Sequence, residues 1–331
     1  MPSLARLLSQ LKLLFVRLRV LRDMRRNDGR ISVPYQTVMI ESTATCNLDC
    51  PICPVRRSDN TMERARKQIP VAEFKKIVDI TRDITESFCI SMWGEPALHK
   101  DFLELVAYAA APGKPVWFST NLNYSERIAE ALAGFPNLHI ICSVDGWDEA
   151  SYADYRWGGR FEVMRRNLGI LAQGKGTVYP QCLVPPLPPG DETRLHAQFT
   201  AFATEICGTA DRIIFKDRRD NIRNAPLGVE PGRCSSLYGG LYFNCDGDVM
   251  PCCMNVRRDV FAGNIADYTA ETVHNAPDIR NLRRRILEDK NQFPSCRACP
   301  GADLQRVIKT RILERLRTPF GPPSPNVDPF V

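Results

Sequence analysis

From residue 37 onward, short apolar runs alternate with segments whose apolar residues recur every three or four positions. The runs Thr37–Ser42, Phe88–Met92, Val116–Ser119, Leu138–Val144, Val178–Val184 and Arg212–Lys216 read as strands. Between them, Val71–Thr81, Phe102–Ala111, Ser125–Ala133, Phe161–Gln173 and Thr193–Thr204 read as helices. Six strands alternating with helices predict an α/β fold with a parallel sheet, because parallel neighbours need a crossover between them. Ahead of this region Leu4, Leu7, Leu8, Leu11, Leu14, Phe15, Leu18 and Leu21 fall on one helical face, with arginines on much of the other. Residues 1–33 are therefore expected to hold a basic amphipathic helix, too short and too charged to span a bilayer. Such a helix packs on the protein's own body, or docks on a membrane surface or partner. Leu304–Leu316, with Arg306, Lys309, Arg311, Arg315 and Arg317, repeats the pattern.

Charge sharpens the division. Eight of the 44 Lys and Arg and two of the 38 Asp and Glu lie in residues 1–30, so that leader carries the whole net charge of +6. The body is neutral, which argues against a nucleic-acid partner. At 331 residues, 44% of them hydrophobic, the chain has room for a main domain and a smaller one. We expect a core over 34–222, a smaller domain over 223–302, and a C-terminal helix and tail over 303–331. Thirteen cysteines without a secretory signal point to a reducing compartment. The expected location is the cytoplasm, with peripheral contact at the inner membrane surface through the N-terminal helix.

The candidate chemistry starts at Cys46-Asn-Leu-Asp-Cys50-Pro-Ile-Cys53, directly after the first strand. Three thiolates on one short loop can hold three irons of a cubane and leave the fourth open to a small molecule. A structural zinc would want a fourth ligand, and no His lies within 35 residues of this loop. Disulfide pairing is the other alternative, disfavoured by the reducing compartment.

This C-x3-C-x2-C loop resembles the signature of the radical S-adenosylmethionine (SAM) superfamily. The resemblance implies a partial (β/α)6 TIM barrel, with a 4Fe–4S cluster on Cys46, Cys50 and Cys53 whose open iron chelates SAM. Gly94-Glu95-Pro96 follows the second strand and resembles the family's Gly-Gly-Glu-Pro segment, which binds the SAM amino group; Trp93 stands where the first glycine usually is. Ser119 and Asn121 follow the third strand, where they can bond ribose or carboxylate. Ser143 and Asp145 follow the fourth and resemble the ribose-contacting segment. Arg156 can pair with the SAM carboxylate through its planar fork, and Ile52 holds the position that usually meets adenine.

A second cysteine system lies near the C-terminal end. Cys234, Gly247 and Cys252 are spaced as C-x12-G-x4-C, and Cys296-Arg-Ala-Cys299 follows. The spacing resembles the SPASM/twitch extension of radical SAM enzymes, with a β-hairpin and helix. It implies an auxiliary 4Fe–4S cluster closed by Cys234, Cys252, Cys296 and Cys299, the twitch form, since no cysteine follows Cys299. A structural zinc on the same four is the alternative. Cys245 is expected to pack near the cluster. Cys253, beside a ligand, is a candidate catalytic thiol that quenches a substrate radical, as in a twitch-type epimerase.

The expected activity is reductive cleavage of SAM, then hydrogen abstraction from a peptide or small-molecule substrate ending in dehydrogenation, cross-linking or epimerisation. The electron would come from a flavodoxin- or ferredoxin-type donor. An iron–sulfur electron carrier or scaffold without SAM chemistry, and a zinc-dependent nucleic-acid module, are the competing classes.

Overall fold

The computed structural model describes residues 15, 18–218, 234, 236–297 and 299. Six parallel strands run in order along one sheet: β1 (Thr37–Ile40), β2 (Phe88–Cys89), β3 (Val116–Thr120), β4 (Leu138–Ser143), β5 (Thr177–Val184) and β6 (Ile214–Asp217). Intervening helices span Val71–Thr81, Phe102–Ala110, Glu126–Ala133, Phe161–Ala172 and Pro189–Cys207. The sheet curves into an unclosed partial barrel. Strands buried on both faces read as apolar runs, which is why this alternation is legible in the sequence.

Register decides which side chains face the helices. Val38, Phe88, Val116 and Leu138 are adjacent across β1–β4 and belong to the main core. There they join Phe74, Ile77 and Val78 of the first helix, Leu105 and Val106 of the second, and Leu168 and Leu171 of the helix Phe161–Ala172. One residue along, the row Met39, Cys89, Trp117 points to the opposite face. The helix Pro189–Cys207 runs past its expected end and stops at Gly208, whose φ of 71° is the left-handed conformation a C-terminal cap needs.

Two elements were not expected. A short helix, Glu149–Ala153, is started by a reciprocal cap between Asp148 and Ser151. More consequential is β7 (Gly240–Phe243), which pairs parallel with β1, Thr37 opposite Gly240 and Ile40 opposite Phe243. β8 (Val249–Met250) then pairs antiparallel with β7, forming a hairpin. The C-terminal region thus extends the barrel sheet to eight strands.

The leader packs on the body over the residues described. Residues 18–26 are helical and bury Val20 and Met24. A strap then crosses to the helix Pro277–Glu288. Asn275 brackets Ile31, accepting its N–H at 2.9 Å and donating to its carbonyl at 3.0 Å, and Arg283 donates to the Gly29 carbonyl at 2.9 Å. Gly29 has φ of 72°, and a Cβ there would stand 2.2 Å from the Arg280 carbonyl oxygen. Residues 1–14 and the stretch Leu304–Leu316 lie outside the described residues.

Candidate active site and second cysteine site

β1 delivers the chain directly into the loop carrying Cys46, Cys50 and Cys53. Leu48, 1% exposed, pins it by packing with Cys50 and Tyr155. Asp49 holds it twice more: its N–H donates to the Trp157 carbonyl at 2.8 Å and its carboxylate accepts from the Ser58 N–H at 2.7 Å. All three cysteines line one cavity of about 120 Å³, shared with Gly94, Glu95, Ser119, Asn121, Ser143, Tyr155 and Arg156. These residues come from the C-terminal ends of β1 to β4 and the segment after Ser143, the end at which barrel enzymes build their sites.

The donor set fits an iron–sulfur cluster. Burial, and then the Glu95 carboxylate, push the Cys46 thiol up to about 12, so a thiolate at Cys46 needs a metal to be stable. Polar hydrogens surround the sulfurs: the Leu48 N–H stands 3.5 Å and the Asn121 amide 3.6 Å from Cys46 Sγ, and the Arg156 guanidinium 3.6 Å from Cys50 Sγ. Such contacts stabilise the charge of ligand sulfurs and tune a cluster's potential. Among the described residues no three His, Cys, Asp or Glu side chains stand close enough to grip a single ion. A cubane, with each thiolate on its own iron, tolerates that wider spacing.

Glu95 is fully buried and braces the next strand. Its carboxylate accepts from Thr120 Oγ1 at 2.8 Å, the Asn121 N–H at 2.6 Å and the Ala97 N–H at 3.2 Å. Burial outweighs these bonds and raises its pKa to about 7. Gly94 has φ of 75°, and a Cβ would lie 2.6 Å from the Thr43 and Thr45 carbonyl oxygens, so the loop admits only glycine.

Ser119, Asn121, Ser143 and Arg156 line the cavity; Pro96 and Asp145 are buried beside it and do not line it. Pro96 opens a short 3-10 turn. Asp145, at φ of 60°, accepts the Leu183 N–H at 2.6 Å and a second contact from Arg156 Nε at 2.5 Å. It fixes the guanidinium rather than presenting a carboxylate to a ligand. Ile52 packs with Leu48 and Tyr155 and is not among the lining residues. Tyr155, not singled out from the sequence, lines the cavity with Arg218 stacked 4.6 Å from its ring centroid.

Cys234, Cys252, Cys296 and Cys299 line a second, smaller cavity of about 30 Å³ with Leu237, Ile286 and Lys290. Burial, and then the neighbouring Cys253 and Cys234 thiols, hold Cys252 well above the ordinary thiol value. Burial, with Cys234 next, pushes Cys296 up to about 12. Four closed thiols in an apolar pocket fit a fully ligated cluster. Cys253 does not line this cavity; with Cys252 it packs against the cluster of Met39, Cys89, Tyr242 and Met250 on the inner face of the sheet. Cys245 is buried elsewhere, donating to the Arg66 carbonyl at 3.1 Å.

The Radical SAM superfamily profile matches residues 40–191, and an iron–sulfur cluster-binding (SPASM) domain matches residues 234–300. The chain belongs to the radical SAM superfamily. This radical SAM and SPASM pairing fits the two cysteine cavities, one under each matched segment. The chain is 30% identical over 133 residues to an AdoMet-dependent heme synthase of Nitratidesulfovibrio vulgaris, covering 40% of this chain and 35% of that protein. It is also 30% identical over 133 residues to mycofactocin maturase MftC of Mycolicibacterium smegmatis, with 40% and 33% covered. A PqqA peptide cyclase of Bradyrhizobium diazoefficiens is 32% identical over 120 residues, covering 34% of this chain and 29% of the cyclase. The chain thus spans about a third of the length of the curated relatives it matches. Among solved structures, SuiB of Streptococcus suis bound to S-adenosylmethionine aligns with a TM-score of 0.56 at 14% identity, over 86% of this chain and 76% of SuiB. AnSMEcpe with bound AdoMet aligns at 0.55 and 15%, over 80% and 88%. At such identities these neighbours speak to the radical SAM fold.

Proposed function

We propose that this chain binds a 4Fe–4S cluster and SAM in the larger cavity, and uses them to abstract hydrogen from a peptide or small-molecule substrate. The chemistry that the reduced cluster supplies when bound is homolytic cleavage of SAM to a 5′-deoxyadenosyl radical. The residues do the rest. Cys46, Cys50 and Cys53 hold the cluster. Glu95 and the Gly94 backbone sit where an ammonium group can be met, with the carboxylate already drawn to its place by Thr120 and Asn121. Ser119, Asn121 and Ser143 supply hydroxyl and amide partners. Arg156, held by Asp145, offers a fixed guanidinium for a carboxylate. Cys234, Cys252, Cys296 and Cys299 hold an auxiliary cluster that passes electrons, and Cys253 faces the barrel interior as a thiol able to give a hydrogen atom to a substrate radical.

One observation carries the reading: three thiols, a buried carboxylate and a braced arginine converge on one cavity at the strand ends. The relatives named for heme synthesis, mycofactocin maturation and peptide cyclisation support both substrate classes. The test is anaerobic reconstitution with SAM and dithionite. We expect 5′-deoxyadenosine from the native chain and none from Cys46→Ala; activity retained in that variant overturns the ligand assignment. Full output with a flavodoxin or ferredoxin in place of dithionite identifies the donor class.

A further inference from the structure

Among the described residues, the two most exposed large apolar side chains sit on one helix: Phe15 at 59% and Leu18 at 55%. The same helix buries Val20, Asp23 and Met24 against the body, where Asp23 accepts the Ser32 N–H at 2.7 Å. Its outward face carries Phe15, Leu18, Arg22, Arg25 and Arg26, all exposed, with the Arg19 guanidinium 5.1 Å from the Phe15 ring centroid. The inward face explains how the helix is held. It does not explain why leucine and phenylalanine face water.

The sequence before it keeps the same phase. With a period of 3.6 residues, Leu4, Leu7, Leu8 and Leu11 align with Phe15 and Leu18, not with Val20 and Met24. Among the described residues that face runs from Phe15 and Leu18 to Arg22, Arg25 and Arg26. The segment carries the chain's entire net charge, while the rest is neutral. We infer that this face is a docking surface for an anionic lipid bilayer, with Phe15 and Leu18 entering the interface and Arg22, Arg25 and Arg26 meeting headgroup phosphates. A second copy of the chain is a poor occupant, because it would set these arginines against one another. The helix leads through its strap into the N-terminal end of β1, whereas the cysteine loop leaves the C-terminal end.

Co-sedimentation of the full chain with vesicles tests this. We expect capture by vesicles of mixed phosphatidylglycerol and phosphatidylcholine, and little by phosphatidylcholine alone. The double variant Phe15→Ser, Leu18→Ser should bind roughly tenfold more weakly or worse, given the apolar area withdrawn. Arg22→Gln with Arg25→Gln should lose about fivefold per arginine, with the residual binding less sensitive to salt. Phe15, Leu18 and Arg25 are exposed, whereas Arg22 also donates to Ser32 Oγ at 3.1 Å; thermal unfolding of each variant therefore separates lost binding from lost packing, and an Arg25→Gln single variant should unfold as the native chain does. Equal capture by neutral and anionic vesicles overturns the inference, as does undiminished binding of the Phe15, Leu18 variant. Concentration-dependent self-association abolished by that variant would assign the face to a second copy instead.

Discussion

The indole N–H of Trp93 donates to the backbone carbonyl oxygen of Cys253 at 2.6 Å. Trp93 stands where the family segment usually has a glycine, so the exchange has a structural purpose in this chain. It ties the loop ahead of Gly94 and Glu95 to the turn that carries Cys252, the proposed auxiliary-site ligand.

Removing that donor should loosen the turn without touching the SAM cavity, which Trp93 does not line. Trp93→Phe is expected to lower stability by about 1–2 kcal/mol, the net value of a hydrogen bond plus an orphaned carbonyl. The measurement is the urea midpoint at unchanged slope; SAM affinity should stay as in the native chain. A midpoint that does not move would show that the bond is dispensable.

Glu95 makes stability depend on pH in a stated direction. Its pKa rises from the ordinary 4.5 to about 7 on folding, chiefly through burial. The folded chain therefore holds the proton more tightly than the unfolded one. Its contribution is fully present below pH 4.5 and is lost as pH rises towards 7. Glu95→Gln should flatten that part of the stability curve for the ligand-free protein, and it should weaken SAM binding by removing the carboxylate. Parallel slopes for both proteins between those limits would refute the assignment.

Glu41 and Arg64 form a buried pair at 2.7 Å, with side chains 0% and 2% exposed. Arg64 also donates to the Val256 carbonyl at 3.0 Å, joining the segment after the first cysteine loop to the C-terminal region. Arg64→Met strands a buried carboxylate that burial already pushes towards protonation, at a cost of about 3–5 kcal/mol. Glu41→Gln with Arg64→Met should recover much of that loss. Chemical denaturation of the two variants separates the cases, since equal damage in both would mean that packing, not charge, holds the site.

Iron content should divide by site. Cys50→Ala is expected to lose one cluster's iron and its SAM-dependent spectral change, whereas Cys252→Ala should lose the other cluster's iron and keep that change. Loss of all iron from either variant would mean that the two sites load together.

The sequence was most readable where structure is local. The helix Val71–Thr81 runs between the residues its periodicity predicts, and β1 and β4 stand where apolar runs placed them because both their faces are buried. The spacing of seven cysteines, with the family it resembles, pointed to two groups, and each group lines one cavity. β7 was not, because its four residues make a weak signal and its partner β1 lies some two hundred positions away. Glu41 and Arg64 look like ordinary surface charges until the fold brings them together. The roles of Asp145 and Tyr155 were hidden for the same reason: residue type does not say whether a side chain faces a ligand or steadies the one that does.

The pairing of β7 with β1 has a mechanical result. Because the C-terminal region is stitched to the barrel by a backbone ladder, the two cannot swing apart as bodies on a linker would. Loss of the smaller domain's order should therefore travel into the strand that bears the first cysteine loop.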